Sequence, residues 1–401
     1  MIRIDQIREL AIETRSKIIL IVIDGLGGLQ DLHTGLTELE SAKKPNIDAL
    51  MAKSTCGLVQ PLGIGITSGS GPAQLALLGY DPMQYEVGRG VLEALGLDMD
   101  LGPDDVAVRG NLCTVNEEGT VVDRRAGRLE TSKTIRLCEI LQGIQLNGTT
   151  ARLRAGKMYG FAAVFSGDDL RGELSDSDPQ KEGLPPKRVL PLVPEAEKTA
   201  LVLNEFILNA RDVLKDSYPA NMLLLRGFGR LPHIPSMHEL FKLTPAAIAT
   251  YPMYRGLGAL LGMDILPTGE SISDQFDILN RHYHDYDFFY LLIKDMDIYG
   301  ESGSFSKRVV VIEELDAILP RLMALNPDVV IITGDHSTPA RLGGHSWHPV
   351  PTLLYSEWCR PDNVSTFGER TCRYGGLGLL SSLAVMPLAL ANALKLRKYG
   401  A

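Results

Sequence analysis

Cysteine is scarce in this chain of 401 residues. There are five, Cys56, Cys113, Cys138, Cys359 and Cys372, an odd number with no Cys-x-x-Cys pair among them. That spacing supports neither a zinc knuckle nor a disulfide framework, and it fits reduced thiols in a cytoplasm. Long Lys/Arg blocks are missing as well, and the formal net charge is −9, which argues against a nucleic-acid partner. No apolar run reaches membrane-spanning length; even residues 379–396 are broken by serines, Pro387 and Asn392. The first residues, Met-Ile-Arg-Ile-Asp-Gln-Ile-Arg-Glu, are too charged for a secretory signal. Neither an internal repeat nor a low-complexity tract is evident. The expectation is a cytoplasmic globular protein, away from membranes, long enough for one large domain and a second. An anionic substrate stays open, because a bound divalent cation or clustered arginines dominate the local field whatever the net charge.

What the chain does contain is strand followed by helix, repeated, which reads as α/β. The pattern predicts a helix over 4–14, a strand over 17–23, a helix over 45–54 with Pro45 in its first turn, and a helix opening at 73–78. From about residue 105 the character changes. Residues 111–115 and 120–122 read as a hairpin, 132–141 as a helix, and the stretch through Gly167 as short strands. A polar loop follows over 171–194, then a helix over 194–215 and a strand over 221–225. Beyond His238 the first rhythm returns, with strands over 246–250, 287–293 and 328–333 and helices over 254–261 and 306–319. Candidate metal ligands lie only before residue 75 and after residue 290. The simplest organisation is a discontinuous core, 1–104 and 241–401, interrupted by an inserted domain over 105–240.

Two apolar strand runs end in hard ligands beside glycine. The first ends in Asp24-Gly25, the second in Gly334-Asp335-His336. Open α/β sheets bind ligands at the carboxyl ends of their strands. The strand over 287–293 is followed by Lys294-Asp295-Met296-Asp297 and then Glu301; on a helix, Asp297 and Glu301 sit at i and i+4 on one face. His345 follows His336 across Gly343-Gly344. Asp24, Asp297, Glu301, Asp335, His336 and His345 thus form an inventory sufficient for two metal ions of mixed O/N coordination, suited to Mn²⁺, Mg²⁺ or Zn²⁺. Taken singly, each is more simply a turn residue, a helix cap or a solvated acid. Their joint placement at strand ends is what favours metal.

Ser70 lies between glycines just before a helix, where backbone can approach a ligand and free N–H groups meet an anion. A serine so placed can serve as a metal-activated nucleophile that accepts phosphate. Ser68 and Thr67 remain alternatives at this point, as does a plain Gly-Ser helix cap.

Further segments extend the pattern: Gly69-Ser70-Gly71-Pro72-Ala73, Leu75 to Pro82, Gly88-Arg89-Gly90, Asp123-Arg124-Arg125-Ala126-Gly127-Arg128, Leu225-Arg226-Gly227, Gly334 to Pro339 and His348-Pro349-Val350-Pro351. On these the chain resembles the archaeal-type cofactor-independent (2,3-bisphosphoglycerate-independent) phosphoglycerate mutases of the alkaline phosphatase superfamily, over essentially its whole length. The resemblance implies an alkaline-phosphatase-like core sheet flanked by helices, with a smaller inserted α/β (α+β) domain that binds substrate. It implies that Asp24, Ser70, Asp335 and His336 hold one metal and Asp297, Glu301 and His345 the other. Ser70 would be phosphorylated during turnover, with no 2,3-bisphosphoglycerate required. Many relatives carry histidine at the position of Glu301, a histidine is frequent at that of Gln74, and His-Arg is common around Tyr159.

Arg124, Arg125, Arg128 and Arg226 are the expected substrate contacts, since guanidinium forks fit phosphate and carboxylate oxygens. Surface pairing with Glu130 or Glu139 is the plainer reading of any one of them, and Arg89 stays open between a structural role and a core-side contact. The activity implied is interconversion of 3- and 2-phosphoglycerate, with a metal-dependent phosphomonoesterase and a non-catalytic binder as the alternatives. Oligomeric state, including a homo-oligomer, is left open by the sequence.

Overall fold

The computed structural model describes residues 4–400. Two compact units are present: Met1–Tyr85, Ile234–Tyr251 and Leu261–Ala401 form the first, Glu86–His233 and Pro252–Leu260 the second. The strands, in chain order, are β1 (Ile18–Ile23), β2 (Ser54–Gln60), β3 (Val106–Val115), β4 (Val121–Asp123), β5 (Thr149–Ala155), β6 (Gly160–Gly167) and β7 (Met222–Gly229). They continue with β8 (Pro245–Ile248), β9 (Asp264–Ile265), β10 (Phe288–Ile293), β11 (Val329–Thr333), β12 (Val350–Ser356) and β13 (Gly378–Ser381).

In the first unit the sheet order is β13-β2-β12-β11-β1-β10-β8-β9. The central strands β11, β1, β10 and β8 are parallel, and β12 runs antiparallel to both β11 and β2. Parallel strands covered on both faces need apolar residues throughout, which is why β1 reads IILIVI and β10 FFYLLI with every residue buried. Ile19, Ile21 and Ile23 of β1 join Phe289, Leu291 and Ile293 of β10 in one cluster. Val311, Ile312, Leu315 and Leu319 of helix Phe305–Met323 pack into it. Each such side chain contributes about 1.5–3 kcal/mol by burial. Among the described residues no helix is long and apolar enough to cross a membrane.

The second unit is an antiparallel sheet, β4-β3-β6-β5 with β7 paired to β3. Helices Thr131–Gln142 and Glu197–Leu214 supply Cys138, Leu141, Leu203 and Phe206 to its core. Helix Arg89–Gly96 lies against helix Pro252–Leu260 at near-backbone contact: a Cβ on Gly256 would stand 1.8 Å from the Leu92 carbonyl oxygen, and one on Gly96 1.7 Å from that of Pro252. Helix Arg89–Gly96 in turn lies on β3, where a Cβ on Gly90 would stand 2.3 Å from the Val108 Cα, so both helices belong to the second unit. The units accordingly divide at Tyr85/Glu86 and His233/Ile234, where the sequence reading set 104/105 and 240/241. An amphipathic helix announces that it has a buried face, not which neighbour buries it.

Other differences are local. The first helix ends at Leu10 rather than 14. Strands β2 and β12 escape the sequence reading, since STCGLVQ and VPTLLYS are neither alternating nor continuously apolar.

Candidate metal and nucleophile site

Three neighbouring parallel strands create the site. Register pairs Ile23 with Ile293 and Val22 with Thr333, so β1, β10 and β11 end side by side. The chain leaving each end carries Asp24, then Lys294 to Asp297, then Asp335 and His336. Residues remote in sequence thus meet because their strands are adjacent.

Two groups of potential ligands result, Asp24 with Asp335 and His336, and Asp297 with His336 and His345. Within each group the ligand atoms lie within 4.8 Å of one another. His336 Nε2 stands 3.2 Å from Asp24 Oδ1, 3.3 Å from Asp335 Oδ2 and 3.0 Å from Ser70 Oγ. Its other nitrogen is fixed by Thr338, whose hydroxyl donates to Asp297 Oδ1 at 2.7 Å. That hydroxyl therefore accepts from His336 Nδ1–H at 3.0 Å. In the neutral ring the Nε2 lone pair is then aimed between the carboxylates, the orientation a ligating histidine takes. His345 repeats the device. Its Nδ1 donates to the Ser68 carbonyl at 2.8 Å, leaving Nε2 3.4 Å from Asp297 Oδ1.

Lys294, whose ammonium the sequence reading passed over, lies 2.9 Å from Asp24 Oδ2 and 2.6 Å from Asp297 Oδ2. Burial opposes the charge on Lys294, but the two carboxylates outweigh it and its pKa is raised. Burial likewise opposes ionisation of Asp24, and Lys294 and His336 hold its pKa low. Asp335 is the contrary case: burial and the Asp24 charge push its pKa up to about 7. For His336, burial disfavours the cation, yet Asp335 and Asp24 raise its pKa to about 9.

Ser70 opens helix Ser70–Leu77, and its Oγ is the hydroxyl beside His336. Thr67 is exposed, and Ser68 contributes its carbonyl. Glu301 is exposed and belongs to neither group. At the last turn of helix Asp295–Glu301 the inward place belongs to Gly300, where a Cβ would stand 2.2 Å from the Thr338 carbonyl oxygen. Gln74 is buried and accepts from the Tyr290 hydroxyl at 2.8 Å, while Tyr159 packs on the core of the second unit.

The arginines belong to the second unit. Arg124 forks onto Asp178 at 3.0 and 2.6 Å, so its acidic partner is neither Glu130 nor Glu139. Arg226 pairs across the strands with Arg109, which the sequence reading did not single out. Burial, then repulsion from Arg109 and Arg89, brings the Arg226 pKa down to about 10. Arg125 and Arg128 are exposed. A lone charge inside the apolar run Val106–Val115 was the available signal for Arg109.

A family model described as 2,3-bisphosphoglycerate-independent phosphoglycerate mutase matches residues 52–221. A probable 2,3-bisphosphoglycerate-independent phosphoglycerate mutase of Thermosipho africanus is 45% identical over 98% of both chains. One from Thermus thermophilus is 46% identical, also over 98% of each. The chain belongs to this family of mutases. A solved cofactor-independent phosphoglycerate mutase from Thermoplasma acidophilum is 32% identical with a TM-score of 0.68, covering 94% of this chain and 100% of that one. A solved protein from Pyrococcus horikoshii reaches a TM-score of 0.84 at 27% identity, over 97% and 100%.

The chain is therefore an enzyme, an isomerase, and its mutase core offers a donor set that fits divalent cations. Asp24, Asp335 and His336 are wholly buried, and Asp335 Oδ2 has no hydrogen bond. Carboxylate oxygens grouped with imidazole nitrogens, one of those oxygens left without a hydrogen bond, beyond the reach of the Lys294 ammonium, form a mixed O/N donor set of the kind divalent cations take.

Proposed function

We propose that this mutase interconverts 3-phosphoglycerate and 2-phosphoglycerate through a phosphoserine at Ser70, a step of glycolysis and gluconeogenesis in the cytoplasm. The reading rests on Ser70 Oγ lying 3.0 Å from His336 Nε2, beside two buried carboxylates, in a member of this family. Two divalent cations, Mn²⁺ or Mg²⁺ by the oxygen-rich donor set and Zn²⁺ by its tolerance of it, would be held by Asp24, Ser70, Asp335 and His336 and by Asp297 and His345; when bound they supply the charge that acidifies a hydroxyl and offsets a phosphate.

The chain's own residues do the rest. Ser70 Oγ forms a bond to phosphorus as the bond from phosphorus to the glycerate oxygen breaks. The serine loses a proton and the glycerate oxygen gains one, so the half-reaction balances. The neighbouring glycerate hydroxyl then takes the phosphoryl group back. The Ser70 and Gly71 amides, at the start of helix Ser70–Leu77, would be the donors for the transferred phosphate. Lys294 holds Asp24 and Asp297 at a common ammonium. Arg109 and Arg226 would supply forked donors for anionic groups of the substrate, with Arg124, held by Asp178, adding positive charge. Water has to be kept from the phosphoserine, since its hydrolysis would make a phosphatase.

The test is product analysis with Mn²⁺ and no bisphosphoglycerate. Conversion of 3-phosphoglycerate to 2-phosphoglycerate, with phosphate trapped on a peptide containing Ser70, supports the reading. Release of inorganic phosphate alone points to a phosphomonoesterase instead.

A further inference from the structure

The turns that carry the candidate ligands bury backbone carbonyls, and buried carbonyls need donors. The Thr338 amide reaches those of Gly25 and Gly27 at 3.3 and 3.1 Å, and one buried side chain supplies further donors. Arg308, on helix Phe305–Met323, is wholly buried. Its Nη2 donates to the carbonyls of Gly25, Leu26 and Gly27 at 3.0, 3.1 and 3.2 Å, and its Nη1 to that of Met296 at 3.0 Å. Two Nη2 protons serve three carbonyls, so one is shared. Gly25 directly follows Asp24, and Met296 directly precedes Asp297. A single guanidinium therefore grips the backbone beside one carboxylate from each group.

The third segment is reached through Glu38, also wholly buried. Glu38 Oε1 lies 3.0 Å from Arg308 Nε, a charge contact whose N–H is not aligned on the oxygen, and it accepts from the Ala340 amide at 2.9 Å. Ala340 closes the segment holding Asp335, His336 and Thr338. The approach is tight. A Cβ on Gly300 would stand 2.7 Å from Arg308 Nη1, and one on Gly28 2.0 Å from Glu38 Oε2. A buried ion pair is a poor source of stability compared with apolar residues of like volume. Its presence here is explained by geometry that leucine or methionine could not supply.

We propose that Arg308 and Glu38 are positioning residues that set the spacing between the two cation-binding groups of the core. This rests on the reading of those groups as a metal site. Arg308 holds Asp24 against Asp297, and Glu38 ties the Asp335–His336 segment to the same guanidinium. Neither touches substrate or the reacting atoms. Lysine cannot replace the arginine, because a point charge with three donors does not match a planar fork serving two turns and an acid.

The test uses the full-length chain stripped of metal and three variants, Arg308→Lys, Glu38→Gln and the paired Arg308→Met/Glu38→Leu. Melting of the metal-free proteins is measured by calorimetry, Mn²⁺ binding by titration calorimetry, and turnover as a function of Mn²⁺. The expected result is Mn²⁺ affinity lower by about 10–100-fold in each variant that folds, with a metal-free melting temperature that falls when the buried pair is broken. Turnover should recover at saturating Mn²⁺, with KM for phosphoglycerate unchanged, a signature a merely structural role does not produce. Wild-type Mn²⁺ affinity in any folded variant that lacks the fork overturns the proposal. So does collapse of the fold in all three, which would make the pair structural only. A wild type that binds no Mn²⁺ removes the metal reading itself, an outcome separate from both.

Discussion

Arg109 on β3 and Arg226 on β7 are direct cross-strand partners in an antiparallel pair. Like charges so opposed weaken a strand pair, and the Asp178 charge offsets only part of the burial and repulsion at Arg226, whose pKa stays lowered. Arg226→Met should therefore leave the anion-free protein as stable as wild type or more so, by about 0.2–1 kcal/mol. The same change should raise KM for 3-phosphoglycerate by about 10–100-fold, matching the 1.5–3 kcal/mol of a charge-assisted hydrogen bond. Calorimetry with steady-state kinetics checks this; lower stability with unchanged KM would dismiss the anion role.

Ser70→Ala should lower phosphoglycerate interconversion by more than about 10³-fold, as loss of a nucleophile does, and abolish the phosphopeptide. Ser68→Ala should keep both, because Ser68 offers its carbonyl, not its hydroxyl, to His345. Mass spectrometry of quenched reactions distinguishes the two.

Glu301→Ala should bind Mn²⁺ as wild type does, while Asp297→Asn should not, since Glu301 is exposed and Asp297 lies among the ligands. Chelation should lower the melting temperature of wild type and of Glu301→Ala alike. Ligand at a thousand times its dissociation constant stabilises by about 4 kcal/mol. A melting temperature indifferent to EDTA would contradict the metal site.

Lys294→Met removes the ammonium shared by Asp24 and Asp297. Breaking such a buried pair costs about 3–5 kcal/mol, so the metal-free variant should melt well below wild type. Mn²⁺ should then stabilise the variant more than it stabilises wild type, because the cation meets the same two carboxylates. Equal increments in both proteins would argue against that shared role.

Burial raises the pKa of Asp178, but the Arg124 hydrogen bond outweighs it and the folded-state value is lowered. A depressed carboxyl contributes stability above its unfolded pKa of about 4 and loses it as pH falls through the folded value. Asp178→Asn should be less stable than wild type at neutral pH, with the gap closing below about pH 4. Denaturant melts across that range measure it.

Much of the site was legible because strand-end ligands are a local signal. Asp24, Asp335 and His336 each follow an uninterrupted apolar run, and the run itself tells where the strand stops. Ser70 was legible from its glycine setting, though only its 3.0 Å approach to His336 separates it from Ser68 and Thr67. Glu301 shares a helix face with Asp297 by spacing yet is exposed, because spacing places residues on a face without saying how deeply each is buried. Arg125 and Arg128 are exposed while Arg124 pairs with the buried Asp178, since neighbours in sequence leave a turn in different directions. Lys294, Arg308 and Glu38 were invisible as a set, because each looks like a solvated charge until its surroundings are known.

The sequence by itself determined the α/β alternation, the parallel strands buried on both faces, and the kinds of ligand at their ends, since these follow from hydrophobic period and residue chemistry over short stretches. Tertiary structure alone decided which strands lie side by side, which unit claims helices Arg89–Gly96 and Pro252–Leu260, and which charges face one another in the interior. The physical reason is range: periodicity is written within a few residues, whereas a guanidinium bonded to carbonyls more than 280 positions away is specified only by packing.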